Sequence, residues 1–216
     1  MGNRKETFAN GEYYHICNRG IEGRNIVMDK RDADRFVVCL AEFNTVEPVG
    51  SLYLLSFEIK KGKSKKKLVD IVAYCLNPNH FHIILRQKVD GGISEFVKRL
   101  SGGHAWYFNK KHKRKGPLFQ GHFRAKHITN NNHLLHASVY VNLNDLVHQL
   151  SGETAKLVRS SWNQYERKVQ GICSPNAIVS QFKTRKDYLE FAKDALAGMI
   201  EKRAKYKELK EILLEE

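Results

Sequence analysis

Apolar and polar positions alternate over EYYHICNRG, residues 12–20, and the run closes on Asn-Arg-Gly. That pattern predicts a strand ended by a turn. In MDKRDADRFVVCLAEFN, residues 28–44, Phe36, Leu40 and Phe43 share one face at helical spacing. The Asp-rich start suits a helix N-terminus. LVDIVAYCLN (68–77) and HFHIILRQ (80–87) are strand-like and flank Asn77-Pro78-Asn79, so they predict an antiparallel hairpin. Residues 91–116 read as a helix with a basic end, 117–129 as a strand kinked at Gly121, and 130–150 as a helix. The order strand, helix, strand, strand, helix, strand, helix predicts an α+β fold. It is a ferredoxin-like (RRM-like) split βαβ core, an antiparallel sheet with helices on one face. After about residue 155 the character changes to the short aromatic segment SSWNQYERK and a Lys/Glu-rich helical pattern over 183–216. We therefore divide the chain into 1–150, a core domain, and 151–216, a C-terminal helical extension.

Composition sharpens this picture. The chain has 216 residues, 42% hydrophobic and 28% charged, enough to bury a core. Its formal net charge is +14, which favours a polyanionic partner, because cations that neutralise phosphates release counterions. The cysteines Cys17, Cys39, Cys75 and Cys173 form no CxxC pair, and the first three sit in apolar runs, so they read as small core residues. MGNRKETFAN carries no apolar signal region and no run is long enough to span a bilayer, so a soluble cytoplasmic protein without a membrane partner is expected.

The chemistry gathers at NPNHFHIIL, residues 77–85. Side chains alternate across a strand, so His80 and His82 point to one side while Phe81, Ile83 and Leu85 point to the other. Two imidazoles on one sheet face make two legs of a divalent metal site, which still needs another ligand. A bare HxH is also compatible with one packed and one solvated histidine. On the helix at 130–150, Leu135, Val139, Leu143 and Leu146 form an apolar stripe, with Tyr140 and Asn144 one turn apart on its flank. A phenol can act as a nucleophile and an amide oxygen as a hard metal ligand. An amphipathic surface tyrosine and a helix-end amide fit the same spacing.

Taken in order, HICNRG, AYCLNPNHFHIIL, LFQGHFRAKHI and YVNLN resemble the HUH endonucleases, and within them the single-tyrosine branch that includes the REP-associated tyrosine transposases. The resemblance covers about residues 12–150, and SSWNQYERK also looks like a C-terminal feature of that family. It implies a metal-dependent single-stranded DNA endonuclease and strand transferase acting on single-stranded or hairpin DNA, as a monomer or homodimer. His80 and His82 would bind Mg²⁺ or Mn²⁺ with Asn144 as third ligand. Tyr140 would attack phosphorus to give a 5′-phosphotyrosine and a free 3′-hydroxyl. Two features depart from the family pattern: Asn144 is followed by Asp145-Leu146 rather than Pro, which lets the helix run on, and a lysine-rich stretch at 50–67 looks inserted.

Around this centre, KKHKRK predicts a phosphate clamp made by Lys110, Lys111, Lys113, Arg114 and Lys115, while Arg19, Arg124 and Lys126 are placed to line a DNA path. Trp106, Tyr107 and Phe108 suit either base stacking or a core, and His104, His122 and His127 have no evident partner. Two other functions fit a basic βαββαβ core: an HUH replication initiator or relaxase, and a nucleic-acid-binding module without chemistry. The first usually has a third histidine or paired tyrosines; the second has no use for His80, His82, Tyr140 and Asn144 together.

Overall fold

Strand alternation, broken by one bulge, places the sheet between two cores. In a computed structural model, which describes residues 7–50, 66–167 and 169–212 (207–212 as backbone only), the element order is β1 Tyr13–Arg19, α1 Lys30–Glu42, β2 Val69–Asn77, β3 His80–Gln87, α2 Gly92–Lys111, β4 Arg124–Ile128 and α3 Asn131–Asn142. Then follow the short α4 Asn144–Val147, α5 Gly152–Lys156, β5 Arg159–Ser160, α6 Trp162–Glu166 and α7 Asn176–Val179, and the long α8 Arg185–Ile212. The sheet is antiparallel throughout, in the order β4-β1-β3-β2-β5. The α+β reading holds. The lysine-rich insertion expected at 50–67 falls almost wholly outside the described residues.

One face of the sheet buries Tyr14, Ile16, Phe81, Ile83 and Leu85 against α1 and α2. The other buries Ile84, Ala73 and Ile128 against Leu134, Val139 and Val141 of α3. The bulge between Ile71 and Ala73 changes the register of β2, so Val72 and Ala73 both join the second core. Helices thus cover both faces, not the single face expected, because α3 carries an apolar stripe of its own. That second core also takes in Tyr165, Ile178, Tyr188 and Ala192, so residues beyond 150 pack directly on α3. Among the described residues no helix is long and apolar enough to cross a membrane.

Three expected boundaries move. The helix from 91 ends at Lys111, and only Arg124–Ile128 of 117–129 is strand, with one isolated bridge from Phe119 to Gly20. The helix from 130 stops at Asn142: Leu143 leaves helical geometry (φ −114°, ψ 27°), and a separate short helix restarts at Asn144. Asn142 is fully buried and its Oδ1 accepts from Ser161 Oγ at 2.6 Å, which pins the end of α3 to the chain beside β2. The stripe therefore breaks up: Val139 and Leu143 are buried, but Leu146 is exposed.

The hairpin turn is held from outside. Gly20 N donates to Asn79 O at 2.8 Å and Ile26 N to Pro78 O at 2.7 Å. A Cβ on Gly20 would lie 2.1 Å from Arg24 O, so only glycine allows the Asn-Arg-Gly turn to close here.

His104 is a core residue, not a site. It is fully buried against Phe36, and Nε2 donates to Ile26 O at 2.7 Å. Burial holds its pKa down to about 4 from the usual 6.5. Between those values the unfolded chain takes up a proton that the folded chain refuses, so stability falls as pH drops, by about 3 kcal/mol for this group at the acid end. Urea unfolding at pH 7 and pH 4.5 should show this loss, and His104→Gln should flatten it; an equal slope in both proteins rules His104 out as a source.

Candidate active site

Strand pairing assembles the site from three strands. His82 lies opposite Cys17 of β1 and Cys75 of β2, and His80 lies opposite Arg19 and Asn77. Cys17 in turn faces Arg124, and His15 faces Lys126. Side chains opposite one another share a face, so His80, His82, His15, Cys17, Arg19, Arg124 and Lys126 all look toward α3. Phe81, Ile83 and Leu85 turn away into the first core, as the alternation predicts.

Tyr140 of α3 stands over this face. Its ring meets His82 edge-on at a centroid distance of 5.4 Å, and His15 at 6.0 Å. It opens onto a cavity of about 430 Å³ lined by Cys17, Arg19, His80, His82, Arg124 and Tyr140, with Asn18, Gln120, His122 and His148 completing the wall.

The hydrogen bonds decide which nitrogens face the cavity. Asn79 Nδ2 donates to Gly23 O at 3.2 Å, which turns its Oδ1 toward His80 Nδ1 at 2.6 Å. That contact requires His80 to carry its proton on Nδ1, leaving a lone pair on Nε2. His80 Nε2 then stands 3.2 Å from Asn144 Oδ1, acceptor against acceptor. Asn77 Nδ2 bridges the two, 3.0 Å from Nε2 and 2.6 Å from Oδ1. His82 Nδ1 is 2.8 Å from His15 Nε2.

Burial keeps the imidazoles neutral. It lowers His80, lowers His82 well below the ordinary range and takes His15 to about 4. His148 is also pushed to about 4, by burial and then by the charges of Arg203 and Arg19. Neutral imidazoles are the form that ligates metals. Two neutral imidazoles and an amide oxygen on one side of the cavity are a donor set that fits a divalent cation, and the Nδ1 partner at His80 is the kind of outer contact that orients a ligand. Among the described residues no group of three or more His, Cys, Asp or Glu is placed to hold a metal; the oxygen nearest His80 Nε2 is the Asn144 amide, at 3.2 Å. Asn144 is fully buried behind His80, and its Nδ2 has no hydrogen-bond partner.

The basic residues divide. Arg19 and Arg124 line the cavity, and Lys126 shares their face. Lys111 does not reach it: its Nζ donates to Asp29 at 2.7 Å and to buried Asp32 at 2.6 Å, and His112 joins Asp32 at 2.8 Å. Lys110 lies over the exposed Trp106 ring, and Arg114 bonds to Asn109 Oδ1 while covering buried Phe108. A common clamp of all five is not seen, since Lys111 is tied into the fold. His122, read as partnerless, lines the cavity, and His127 bonds to Glu12 at 2.9 Å.

His15, His148 and Arg203 were not singled out from sequence. His15 carries a signal, since HICNR alternates His15, Cys17 and Arg19 onto one face. His148 follows Asn144 by one helical turn. Arg203 has none, because it lies on α8 beyond buried Ala192 and partly buried Leu196 and Met199, past the core.

A family model described as IS200-like transposase matches residues 50–144, a span that holds His80, His82, Tyr140 and Asn144. No curated protein matches the chain. Among solved structures, the fold is similar to a REP-associated tyrosine transposase bound to a REP hairpin, with a TM-score of 0.54 and 13% identity, covering 81% of this chain and 91% of that one. At that identity the likeness is one of fold.

Proposed function

We propose that this chain, whose residues 50–144 match the IS200-like transposase model, acts as a transposase of that kind and nicks and rejoins single-stranded DNA beside a hairpin through Tyr140. One observation carries the reading: the Tyr140 ring meets His82 edge-on and lines, with His80, a cavity walled by Arg19 and Arg124. Tyr140 Oη attacks the scissile phosphorus, the bond from phosphorus to the 3′-oxygen breaks, and the freed 3′-hydroxyl takes up a proton as the phenol loses one. The 5′-phosphate is then esterified to Tyr140, and attack by another 3′-hydroxyl reverses the step, so strand transfer needs no nucleotide cofactor. Bound by His80, His82 and Asn144, Mg²⁺ or Mn²⁺ would polarise the phosphate and offset the charge that builds on its oxygens. Arg19 and Arg124 hold the backbone, and their fixed side of the cavity sets which phosphate meets Tyr140.

The test is a labelled single-stranded hairpin with a 3′ extension, incubated with protein and Mn²⁺. A protein–DNA adduct that survives denaturation supports the reading; a complex that only shifts a native gel supports a binding module instead.

The charge assignment is separable from the chemistry. Arg19→Ala with Arg124→Ala should weaken hairpin binding and lower the salt-dependence slope by about 0.7 for each single-strand phosphate left without its cation. Lys111→Ala should leave that slope alone and cost about 2 kcal/mol in urea unfolding, because buried Asp32 is deprived of a charged partner. A slope that changes with Lys111 and not with the arginines reverses the assignment.

A further inference from the structure

We propose that His15 is a positioning residue that accepts the Nδ1 proton of His82 and so turns the His82 Nε2 lone pair into the cavity. This rests on the metal reading above for its purpose, but not for its test. His15 Nε2 and His82 Nδ1 are 2.8 Å apart, and the two rings lie nearly parallel with centroids 5.0 Å apart. The contact is built by the sheet: His15 pairs with Ile84 and His82 with Cys17, so the two imidazoles are diagonal neighbours on one face.

One proton lies between the two nitrogens, and its owner decides what the cavity sees. If His15 donates, neutral His82 carries its own proton on Nε2 and offers the cavity no lone pair. If His82 donates, Nε2 is bare. Two observations favour the second. At His80, two residues away, Nδ1 is likewise the donor, to Asn79 Oδ1, so both imidazoles present the same nitrogen. His82 is almost completely buried and, among the described residues, no group accepts a proton from its Nε2, whereas His15 is only partly buried. The remaining N–H is thus better placed on His15 Nδ1. Histidine ligands commonly give their second N–H to a carboxylate or carbonyl; here a second imidazole takes that place.

The experiment reads the tautomer directly in metal-free protein. Long-range ¹H–¹⁵N spectra at pH 7.5, with the His82 ring assigned by its absence in His82→Ala, should show Nδ1 protonated and Nε2 bare. A proton on Nε2 overturns the proposal, whatever the metal does. His15→Phe keeps a ring in place and removes the acceptor. It should release the His82 tautomer and weaken Mn²⁺ binding, followed by electron paramagnetic resonance, by roughly ten- to a hundredfold. Hairpin binding without metal should not change, and His15→Asn should restore part of the affinity. Unchanged Mn²⁺ affinity in a folded His15→Phe protein would also overturn it. A wild-type protein that binds no Mn²⁺ but shows the Nδ1 tautomer sinks the metal reading and leaves the His15 assignment standing.

Discussion

Tyr140→Phe should leave the protein folded and able to hold hairpin DNA, and should abolish both strand cleavage and the covalent adduct. The change removes one oxygen and keeps the ring, so the edge-on packing with His82 and His15 survives. Tyr140 is partly buried against the second core, which phenylalanine suits equally well. A missing nucleophile has no substitute on the cavity wall, where the remaining side chains are histidines, arginines, amides and a thiol. That thiol, Cys17, is held protonated by burial, so it is a poor replacement. The expected fall is on the order of 10⁴-fold or more. Asn144→Ala should be milder, since water can take an amide ligand's place, although it also strands the Asn77 donor. Both variants belong on one denaturing gel beside the wild type. An adduct with Tyr140→Phe would move the chemistry to another tyrosine.

The second large effect is expected from His80→Ala with His82→Ala. Cleavage that depends on Mg²⁺ or Mn²⁺ should fall to background, while hairpin binding measured without metal stays within a few-fold. The separation follows from the geometry: the two imidazoles are neutral and face the cavity, whereas the fixed charges beside it belong to Arg19 and Arg124. Direct Mn²⁺ titration of the double variant should show the high-affinity site gone. Retained cleavage would place the metal elsewhere, and abolished hairpin binding would give the histidines a role in gripping DNA.

How much of this was legible in the chain depends on distance along it. The inward turn of His80 and His82 follows from period-two alternation, and the hairpin from Asn77-Pro78-Asn79, because both are local. Tyr140 was legible as one residue on a helix. Asn144 was reached by assuming that helix continued; it breaks at Leu143, yet the short helix after the break still brings Asn144 to His80. The α3 stripe was legible but not its place on the second face, and Tyr165 and Tyr188 gave no sign of sharing a core with Val139. Lys111 was placed in the phosphate clamp for the same reason. A basic run looks solvated until Asp29 and Asp32, far earlier in the chain, are folded beside it. His15 needed the pairing of β1 with β3, a non-local register that no single segment encodes.

The break at Leu143 and the packing of α8 on α3 hold Tyr140 against the His82 of its own chain. Val139 and Val141 share a core with Tyr188 and Ala192 of the same chain, so the helix bearing Tyr140 is clasped at home, over its own His82. Within one chain, the nucleophile already stands against the imidazoles. Cutting should then be first order in protein: diluting the chain at fixed excess DNA should leave the rate per molecule constant, and mixing Tyr140→Phe with the His80, His82 double variant should restore nothing.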